Sequence, residues 1–457
     1  MSGTRVRRTA AQDDREDSIG HAALDLAPAA RSLAASATLA MNEAVAQRRA
    51  AGRETLHLAF GQASFPLHPL LRAALADAAD ATGYAPVQGV PALRQAIAAY
   101  LTRTRRLSVA PEQVIVAPGS KPLLYALLQV LDGDVLLPVP SWVSYAPQVR
   151  LAGRRAIDVA TDADDHHRLT PAALTAALEG ARRAGADPRI LLVNTPSNPT
   201  GGMFAPEDVA AIAGWAREAG VTLISDEIYA ELAHGWRAHV SPAQYYPEGS
   251  IVTGGLSKGF SAGGWRLGYA AVPAGAAGAR LMDALRALAS EIWSAASTPV
   301  QRAAVVAYTP SPELDTYLRQ SARLHGAVTH RLHASLTGLG LPCPRPAGAF
   351  YLYPDFAPWR SALAQLGVTT SQQLATYLLE QWDIATLPGS DFGESTAALR
   401  LRLATSMLTS PAASGAEADR DAAAWELLAR ADQASLDDAG AAEFALDLPE
   451  LARAEER

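Results

Sequence analysis

Cysteine and lysine are almost absent from this sequence. Cys343 is the only cysteine among 457 residues, which excludes an intrachain disulfide framework and a cysteine metal cluster. Scarce cysteine is typical of a protein from the reducing cytoplasm. Lys121 and Lys258 are the only lysines, and the other fixed positive charges are arginines. Because a lysine of lowered pKa can form a Schiff base with a carbonyl and an arginine cannot, these two lysines are candidates for covalent chemistry.

The sequence also lacks long apolar runs and an excess of positive charge. No apolar run approaches the length that crosses a membrane. The formal net charge is −7 and the pI is about 5.8, unlike the basic balance of nucleic-acid-binding proteins. Arg5, Arg7 and Arg8 are followed by acidic residues instead of an apolar segment, which argues against a targeting signal. We therefore predict no nucleic-acid or membrane partner, and a disordered arm over residues 1–30.

Strand-like and helix-like segments alternate through the middle of the chain. Apolar residues make up 49% of the sequence, which is enough for a sizeable core, and charged residues make up 19%. The alternation over residues 114–273 predicts βαβ units and a largely parallel sheet. In such sheets the ligand site lies beyond the carboxyl ends of the strands. Asn198, Asp226 and Lys258 all follow predicted strands, so one sheet can bring them together.

Lys258 lies in a glycine-rich stretch between two apolar runs. Residues 251–273 read IVTGGLSKGFSAGGWRLGYAAVP, and such runs bounded by Gly and Pro are typical of buried strands. Glycines next to Lys258 let a bulky ligand approach the backbone. Lys121 instead follows Gly119 and Ser120 on the first turn of a predicted helix, where backbone N–H groups favour an anion. We therefore predict that Lys258, and not Lys121, forms the Schiff base.

The segment SKGFSAGGWRLGY resembles the cofactor-lysine segment of fold-type-I, pyridoxal-phosphate-dependent aminotransferases of class I and II. The similarity extends from SATLAMNEA near residue 36 to LRLRLATS near residue 406, with the motifs in family order. It implies an α/β fold whose large domain has a mostly parallel seven-stranded sheet flanked by helices, beside a smaller α+β domain. The expected ranges are an N-terminal segment packing with the small domain (31–58), a large cofactor-binding domain (59–305), a small domain (306–410) and an acidic helical extension (411–457), whose alanine-rich sequence predicts one or two surface helices.

The resemblance implies pyridoxal 5′-phosphate as cofactor. Lys258 would form an aldimine with it and move a proton between the substrate α-carbon and the cofactor. Asp226 would keep the pyridine nitrogen protonated, so that the cofactor acts as an electron sink. Tyr229 and Asn198 would bind its phenolic oxygen. The remaining expected cofactor contacts are phosphate ligands, a stacking ring and a tyrosine from the partner subunit: Gly119, Ser120, Lys121, Ser257 and Arg266; Trp142; and Tyr84.

The substrate-binding residues also follow from the resemblance. Arg400 matches the arginine that binds the substrate α-carboxylate with a planar fork. Gly61 matches the glycine whose backbone lies beside the same carboxylate. Trp142 and Asn198 border both cofactor and substrate. Two further aromatic residues are candidates either for pocket walls or for the core: Phe350 and Phe392. One or more peptide bonds before Pro196 or Pro199 are expected to be cis.

Three features depart from the family pattern. Gly255 stands three positions before Lys258, where many relatives have a serine that contacts the phosphate. GQAS at residues 61–64 replaces the usual G-E-P-D. Arg402 stands where relatives have a small residue, and the strand period puts it on the same face as Arg400, roughly 7 Å away. Arg402 either pairs with a carboxylate, for instance from the acidic extension, or reshapes the substrate entrance for an unusual or larger substrate.

These observations predict a cytoplasmic, homodimeric aminotransferase that moves an amino group between an α-amino acid and a 2-oxo acid. The same cofactor also supports elimination, replacement, cyclisation or oxidation of an amino acid, and the sequence leaves these alternatives open. A cofactor-sensing regulator fused to a DNA-binding domain is disfavoured, because the N-terminal arm is too short for such a domain. The long amphipathic helical region after residue 281 and Tyr84 support the dimer.

Overall fold

The computed structural model describes residues 31, 36–235, 238–409, 417–433 and 448–456, and the predicted arm at residues 1–30 lies outside them. Its strands are β1 (Leu56–His57), β2 (Val114–Ala117), β3 (Asp134–Val139), β4 (Ala156–Ala160), β5 (Pro188–Asn194), β6 (Thr222–Asp226), β7 (Ser250–Gly255), β8 (Gly268–Ala271), β9 (Tyr351–Leu352), β10 (Ile384–Ala385), β11 (Leu387–Pro388) and β12 (Leu401–Ala404).

Seven of these strands form one sheet in the order β2-β8-β7-β6-β5-β3-β4. Only β8 runs antiparallel to its neighbours β2 and β7, and the other neighbouring pairs are parallel. The mostly parallel, seven-stranded α/β sheet that the sequence analysis predicts is therefore confirmed. Because β5, β6 and β7 are adjacent and parallel, their carboxyl ends meet at one edge of the sheet.

The helices are α1 (Ala37–Ala50), α2 (Pro69–Asp77), α3 (Pro91–Arg105), α4 (Ser120–Val130), α5 (Tyr145–Leu151), α6 (Pro171–Arg183), α7 (Pro206–Ala219), α8 (Gly275–Ile292), α9 (Thr298–Tyr308), α10 (Pro312–Gly338), α11 (Arg360–Gln365), α12 (Ser371–Trp382), α13 (Glu417–Gln433) and α14 (Pro449–Glu456). Helices α6, α10 and α12 begin after Thr170, Ser311 and Thr370, whose hydroxyls accept the N–H of the third helical residue. No helix in the described part of the chain is long and apolar enough to cross a membrane.

Both faces of the large sheet are buried by helices. Val135 and Leu137 pack with α4 and α8 on one face, whereas Leu136 packs with α6 and α7 on the other. This alternation follows from the two-residue period of a strand. A sheet covered on both faces needs strands that are apolar throughout, which explains the continuous apolar runs in the sequence.

Two small sheets complete the described fold. Strands β1 and β10 form a parallel pair, and β11, β12 and β9 form an antiparallel sheet in that order. The described residues from 36 onward form one compact unit. The boundaries expected at residues 58/59 and 305/306, between a large and a small domain, stay predictions.

The C-terminal extension is more deeply packed than its acidic sequence suggests. Leu428 and Leu451 are fully buried and belong to the largest apolar core. The Trp425 ring lies 5.7 Å from His68 and 5.6 Å from Tyr317, measured between ring centroids. Glu455 accepts two hydrogen bonds from the Arg331 guanidinium, at 2.7 and 2.8 Å. The alanine-rich, acidic composition predicts surface helices here. Instead, α13 and α14 bury apolar side chains, which the average composition does not reveal.

Candidate active site

A cavity of about 420 Å³ opens at the carboxyl ends of β5, β6 and β7. It brings together most of the residues predicted from sequence: Gly61, Ser120, Lys121, Trp142, Asn198, Asp226, Tyr229, Ser257, Lys258 and Arg266. These residues come from segments up to 205 positions apart in the sequence, and the parallel strand order explains why they meet. A second cavity of about 280 Å³ is lined by His166 and His167 and contains only Tyr145 and Asn194 in common with the first.

Lys258 lies on the loop that follows β7, with its ammonium inside the cavity. Its Nζ donates a 2.6 Å hydrogen bond to the Gly61 carbonyl and lies 5.6 Å from the Tyr229 ring centroid. Desolvation, together with the charges of Arg402 and Arg266, lowers the pKa of Lys258 to about 8. A lysine with this pKa is partly neutral near physiological pH, which is the form that attacks a carbonyl.

Asp226 ends β6 and presents a buried carboxylate to the cavity. Tyr145 donates a 2.8 Å hydrogen bond to Oδ2, and the Thr253 hydroxyl donates to Oδ1 at 3.1 Å. Burial raises the pKa of Asp226, and these hydrogen bonds oppose that rise. Glu227 points away from the cavity and lies 3.5 Å from the Arg105 guanidinium, so the two neighbouring carboxylates have different surroundings.

Tyr229 and Asn198 form the wall beside Lys258. The Tyr229 hydroxyl is 2.7 Å from the Tyr351 hydroxyl. The Asn198 backbone N–H donates to Asn194 Oδ1 at 2.8 Å, which fixes the start of the loop. Asn198 Oδ1 is buried and has no hydrogen-bond partner among the described residues. Buried polar atoms are normally satisfied, so this amide is positioned to meet a ligand. The peptide bonds before Pro196 and Pro199 are both cis, as expected.

Cationic and hydroxyl side chains gather at the start of α4. Ser120, Lys121, Ser257 and Arg266 line this end of the cavity. Gly119 has a φ of 100°, a backbone conformation that other residues adopt only with strain, and a side chain there would also have to displace the Arg266 guanidinium, so this turn favours glycine. A helix N-terminus with two hydroxyls and two cations is suited to bind a phosphate.

The glycine at position 255, where many relatives have a serine, is explained by close packing of the neighbouring backbone. A Cβ at this position would approach the Leu267 carbonyl to 2.7 Å and the Gly268 Cα to 3.0 Å. Both atoms belong to the neighbouring antiparallel strand segment and cannot move independently of it. The close approach of β7 and β8 therefore excludes a side chain here.

Three aromatic residues have distinct placements. Trp142 lines the cavity, with Lys121 Nζ 5.1 Å from its ring centroid. Phe392 also lines the cavity. Phe350 is fully buried, although its ring centroid lies 5.9 Å from Lys258 Nζ. Phe392 is thus a wall residue that also belongs to a core cluster, and Phe350 supports the wall from behind.

Tyr84 is not part of the cavity of its own chain. It is 96% exposed, on the segment between α2 and α3. The predicted contact with a phosphate therefore requires a partner subunit.

The structure does not bring Arg400 into the cavity. Its guanidinium is held by two carboxylates, Asp355 at 2.8 Å and Glu394 at 2.7 Å. Arg402 lines the cavity instead. It donates to the Ala59 carbonyl and has no carboxylate within 4 Å among the described residues. Neither the expected cavity position of Arg400 nor the expected ion pair of Arg402 is found.

Sequence reasoning missed three polar residues that shape the site. Tyr145 and Thr253 hold the Asp226 carboxylate, and Tyr351 contacts Tyr229. Tyr145 is three residues after Trp142 in the predicted helix start, and Tyr351 is in the aromatic run after residue 347. Their roles depend on which face of an element meets the cavity, and the sequence does not specify that face.

Together the parallel sheet and the lysine at its carboxyl edge define a fold-type-I enzyme. The sequence pattern described as aminotransferase class I and II matches residues 53–411, so the chain belongs to that family and is an aminotransferase. It is 37% identical over 396 residues to aspartate aminotransferase of Geobacillus stearothermophilus, and 33% identical over 397 residues to that of Bacillus subtilis. Each alignment covers 84% of this chain and 95% of the relative.

The solved structures agree with this family. Aspartate aminotransferase from Thermus thermophilus with maleate superimposes with a TM-score of 0.76 at 30% identity, covering 89% of this chain and 99% of that one. The aromatic aminotransferase from Pyrococcus horikoshii gives a TM-score of 0.70 at 26% identity, covering 85% and 99% of the two chains. The predicted family, fold class and enzyme class are therefore confirmed.

Proposed function

We propose that this aminotransferase binds pyridoxal 5′-phosphate in the cavity at the sheet edge and transfers an amino group from an α-amino acid to a 2-oxo acid. The observation that carries the proposal is the placement of Lys258 and Asp226 in one cavity. A lysine of lowered pKa and a buried carboxylate at neighbouring strand ends are the two groups that such chemistry requires.

The residues present fit this cofactor. The cluster formed by Ser120, Ser257 and Arg266 offers hydroxyl and guanidinium donors for a phosphate. Asp226 offers a buried carboxylate for a protonated ring nitrogen, and a buried carboxylate without a cationic partner would otherwise be costly. Asn198 has an unsatisfied buried amide oxygen, and its amide can be oriented to present either the oxygen or the NH₂ group.

The roles of the chain's own residues follow from their contacts. When bound, pyridoxal 5′-phosphate supplies an electron sink for negative charge at the substrate α-carbon. Lys258 Nζ, with a pKa of about 8, can accept a proton from that carbon and return one near neutral pH. Tyr145 and Thr253 fix the orientation of the Asp226 carboxylate. Tyr229 presents a hydroxyl whose position is set by Tyr351.

We also propose a homodimer in which Tyr84 of each subunit reaches the cavity of the other. The exposure of this tyrosine on a single chain supports the idea, because large aromatic side chains are commonly buried at interfaces. Mixing Tyr84→Ala and Lys258→Ala proteins should give hybrid dimers with one doubly damaged site and one intact site. Activity should partly recover in the mixture, and a monomeric protein in solution would refute the dimer. The single cysteine of the sequence supports a cytoplasmic location.

The amino donor and acceptor can be identified with a substrate panel. The two relatives compared above are aspartate aminotransferases, so aspartate with 2-oxoglutarate is the first pair to test. Purified enzyme would be incubated with each common amino acid and 2-oxoglutarate, while the new 2-oxo acid, glutamate and ammonia are measured. Transamination yields equal amounts of the first two and no ammonia. Ammonia without glutamate would instead indicate elimination or oxidation.

A further inference from the structure

We propose that Arg402, and not Arg400, binds the α-carboxylate of the substrate in this enzyme. The inference rests on the proposed transamination, since it assigns the carboxylate of that substrate to a residue. Both arginines are near one end of the same antiparallel sheet: Arg402 is on β12, paired with Leu387 of β11, and Arg400 pairs with Asp355 just before β12. Alternation along the strand therefore gives both side chains access to the same side.

Arg400 is already neutralised by its neighbours. Its two terminal nitrogens bind different carboxylates, Asp355 and Glu394, at 2.8 and 2.7 Å. Tyr353 donates a further hydrogen bond to the second Glu394 oxygen at 2.7 Å. One guanidinium with two carboxylates is a net negative cluster. A substrate carboxylate would have to displace one of them against the repulsion of the other.

Arg402 has the opposite surroundings. Its side chain is 2% exposed, and its guanidinium carbon lies 4.9 Å from the Tyr351 ring centroid and 5.5 Å from that of Phe392. It donates to the Ala59 carbonyl, while its Nε has no hydrogen-bond partner among the described residues. Asp391 interacts electrostatically with Arg402, but no carboxylate of the described residues lies within ion-pair distance of the guanidinium. A buried cation without a contacting anion is costly, and a bound carboxylate would remove much of that cost.

The location of Arg402 also suits a substrate that reacts at Lys258. Arg402 binds the carbonyl of Ala59, and Lys258 binds the carbonyl of Gly61, two residues further along the same segment. Tyr351 connects the two sides, because its ring contacts Arg402 and its hydroxyl contacts Tyr229. A carboxylate at Arg402 is therefore held within the same cavity wall that positions Lys258.

The arrangement couples carboxylate binding to the reactive lysine. The charge of Arg402 is one of the causes that lower the pKa of Lys258. A carboxylate at Arg402 would cancel much of that charge, so the pKa of the group at Lys258 should rise when a carboxylate binds. A role limited to packing would produce no such shift.

The test compares single substitutions in the holoenzyme. The probe is succinate, which has carboxylates and no amino group, titrated while the visible absorption of the bound cofactor is followed. Arg402→Gln should weaken succinate binding and raise the amino-acid KM by at least about 30-fold, the effect of losing a charge-assisted, two-point contact. Cofactor content should stay at the wild-type level. Arg402→Lys, which keeps the charge and loses the fork, should recover part of the affinity.

Arg400→Gln is the discriminating variant, and Arg217→Gln, which removes a surface pair with Glu248, is the remote control. We expect Arg400→Gln to lower the melting temperature and to change succinate affinity less than about threefold. The midpoint of the pH titration of the absorption should move upward with succinate in wild type and stay fixed in Arg402→Gln.

The assignment is overturned if Arg400→Gln loses succinate binding and the Arg402 variants retain it. The outcome is independent of the reaction type, because succinate titration reports binding even if the substrate panel shows no transamination. Failure of the proposed function would therefore appear in the panel, and failure of this inference in the titration.

Discussion

The two walls of the cavity differ in how they are built. The first wall consists of the carboxyl ends of β6 and β7, with Asp226 and Lys258. The second consists of β12 and the segment after β1, with Arg402 and the Ala59 carbonyl. In the first wall, position along a buried parallel strand determines where a side chain points. In the second, two arginines lie on one strand segment, and the carboxylates of Asp355 and Glu394 bind Arg400, so that Arg402 lines the cavity.

The largest effect is expected from Lys258→Ala in the first wall. Turnover should fall by about 10⁴-fold or more, because both the covalent attachment and the proton transfer are lost. Borohydride treatment of wild-type protein should fix the cofactor to Lys258, which peptide mass spectrometry would detect. A label on Lys121 would contradict the assignment of Lys258, and not Lys121, as the lysine that forms the Schiff base.

The next effect concerns the two neighbouring carboxylates after β6. Asp226→Asn removes the charge and keeps one oxygen that accepts a hydrogen bond, while the other hydroxyl, of Tyr145 or Thr253, can rotate to accept one from the new NH₂ group. We therefore expect kcat to fall by about 10²- to 10³-fold, with only a small change in melting temperature. Glu227→Gln is the matched control: it weakens the buried contact with Arg105 and should cost about 1–3 kcal/mol of stability. Comparable losses of kcat in both variants would show that the Asp226 charge matters no more for catalysis than the Glu227 charge.

A smaller effect is expected from the second wall. Tyr351→Phe removes the hydroxyl that contacts Tyr229 and should reduce kcat/KM by about tenfold, the value of one buried hydrogen bond. Tyr353→Phe removes a hydroxyl that binds Glu394, outside the cavity, and should leave substrate kinetics within about twofold. Steady-state kinetics of the two variants, measured side by side, would distinguish them. Equal losses of kcat/KM would contradict the proposal that Tyr351 belongs to the cavity wall and Tyr353 does not.

The smallest effect is a pH dependence of stability in the cofactor-free protein. The pKa of Lys258 falls from 10.5 to about 8 on folding. The folded state therefore binds fewer protons than the unfolded state between these values, and stability rises with pH across that window. Denaturant unfolding from pH 7 to 10.5 should show this rise in wild type and a smaller one in Lys258→Met. Identical profiles would mean that Lys258 is not desolvated.

The two walls of the cavity also differ in how much of their structure could be predicted from the sequence. The parallel sheet and the meeting of Asn198, Asp226 and Lys258 follow from strand-end positions in the sequence. Strand periodicity predicts Arg400 and Arg402 on one side, but only Arg402 lines the cavity. The sequence did not show that Glu394, six residues before Arg400, and the distant Asp355 would bind the Arg400 guanidinium. These contacts depend on how the loop before β12 folds and packs, which short motifs do not encode.

The same limit explains the C-terminal extension. Its low apolar content predicted surface helices, whereas Leu428 and Leu451 are fully buried. Only a few apolar side chains are needed because they add to an existing core, mainly against α10 and also against His68 and β1. Burial of these side chains therefore depends on where they lie in the folded chain, and the average composition of the extension does not predict it.

The docked extension has a practical consequence for how this protein can be divided. The family-pattern match ends at residue 411, but the hydrophobic core continues into α13 and α14. A protein truncated at the end of that match would expose the apolar surface of α10 to solvent, and exposed apolar patches of this kind promote aggregation. Residue 411 is therefore a poor place to end an expressed chain, although the sequence match stops there.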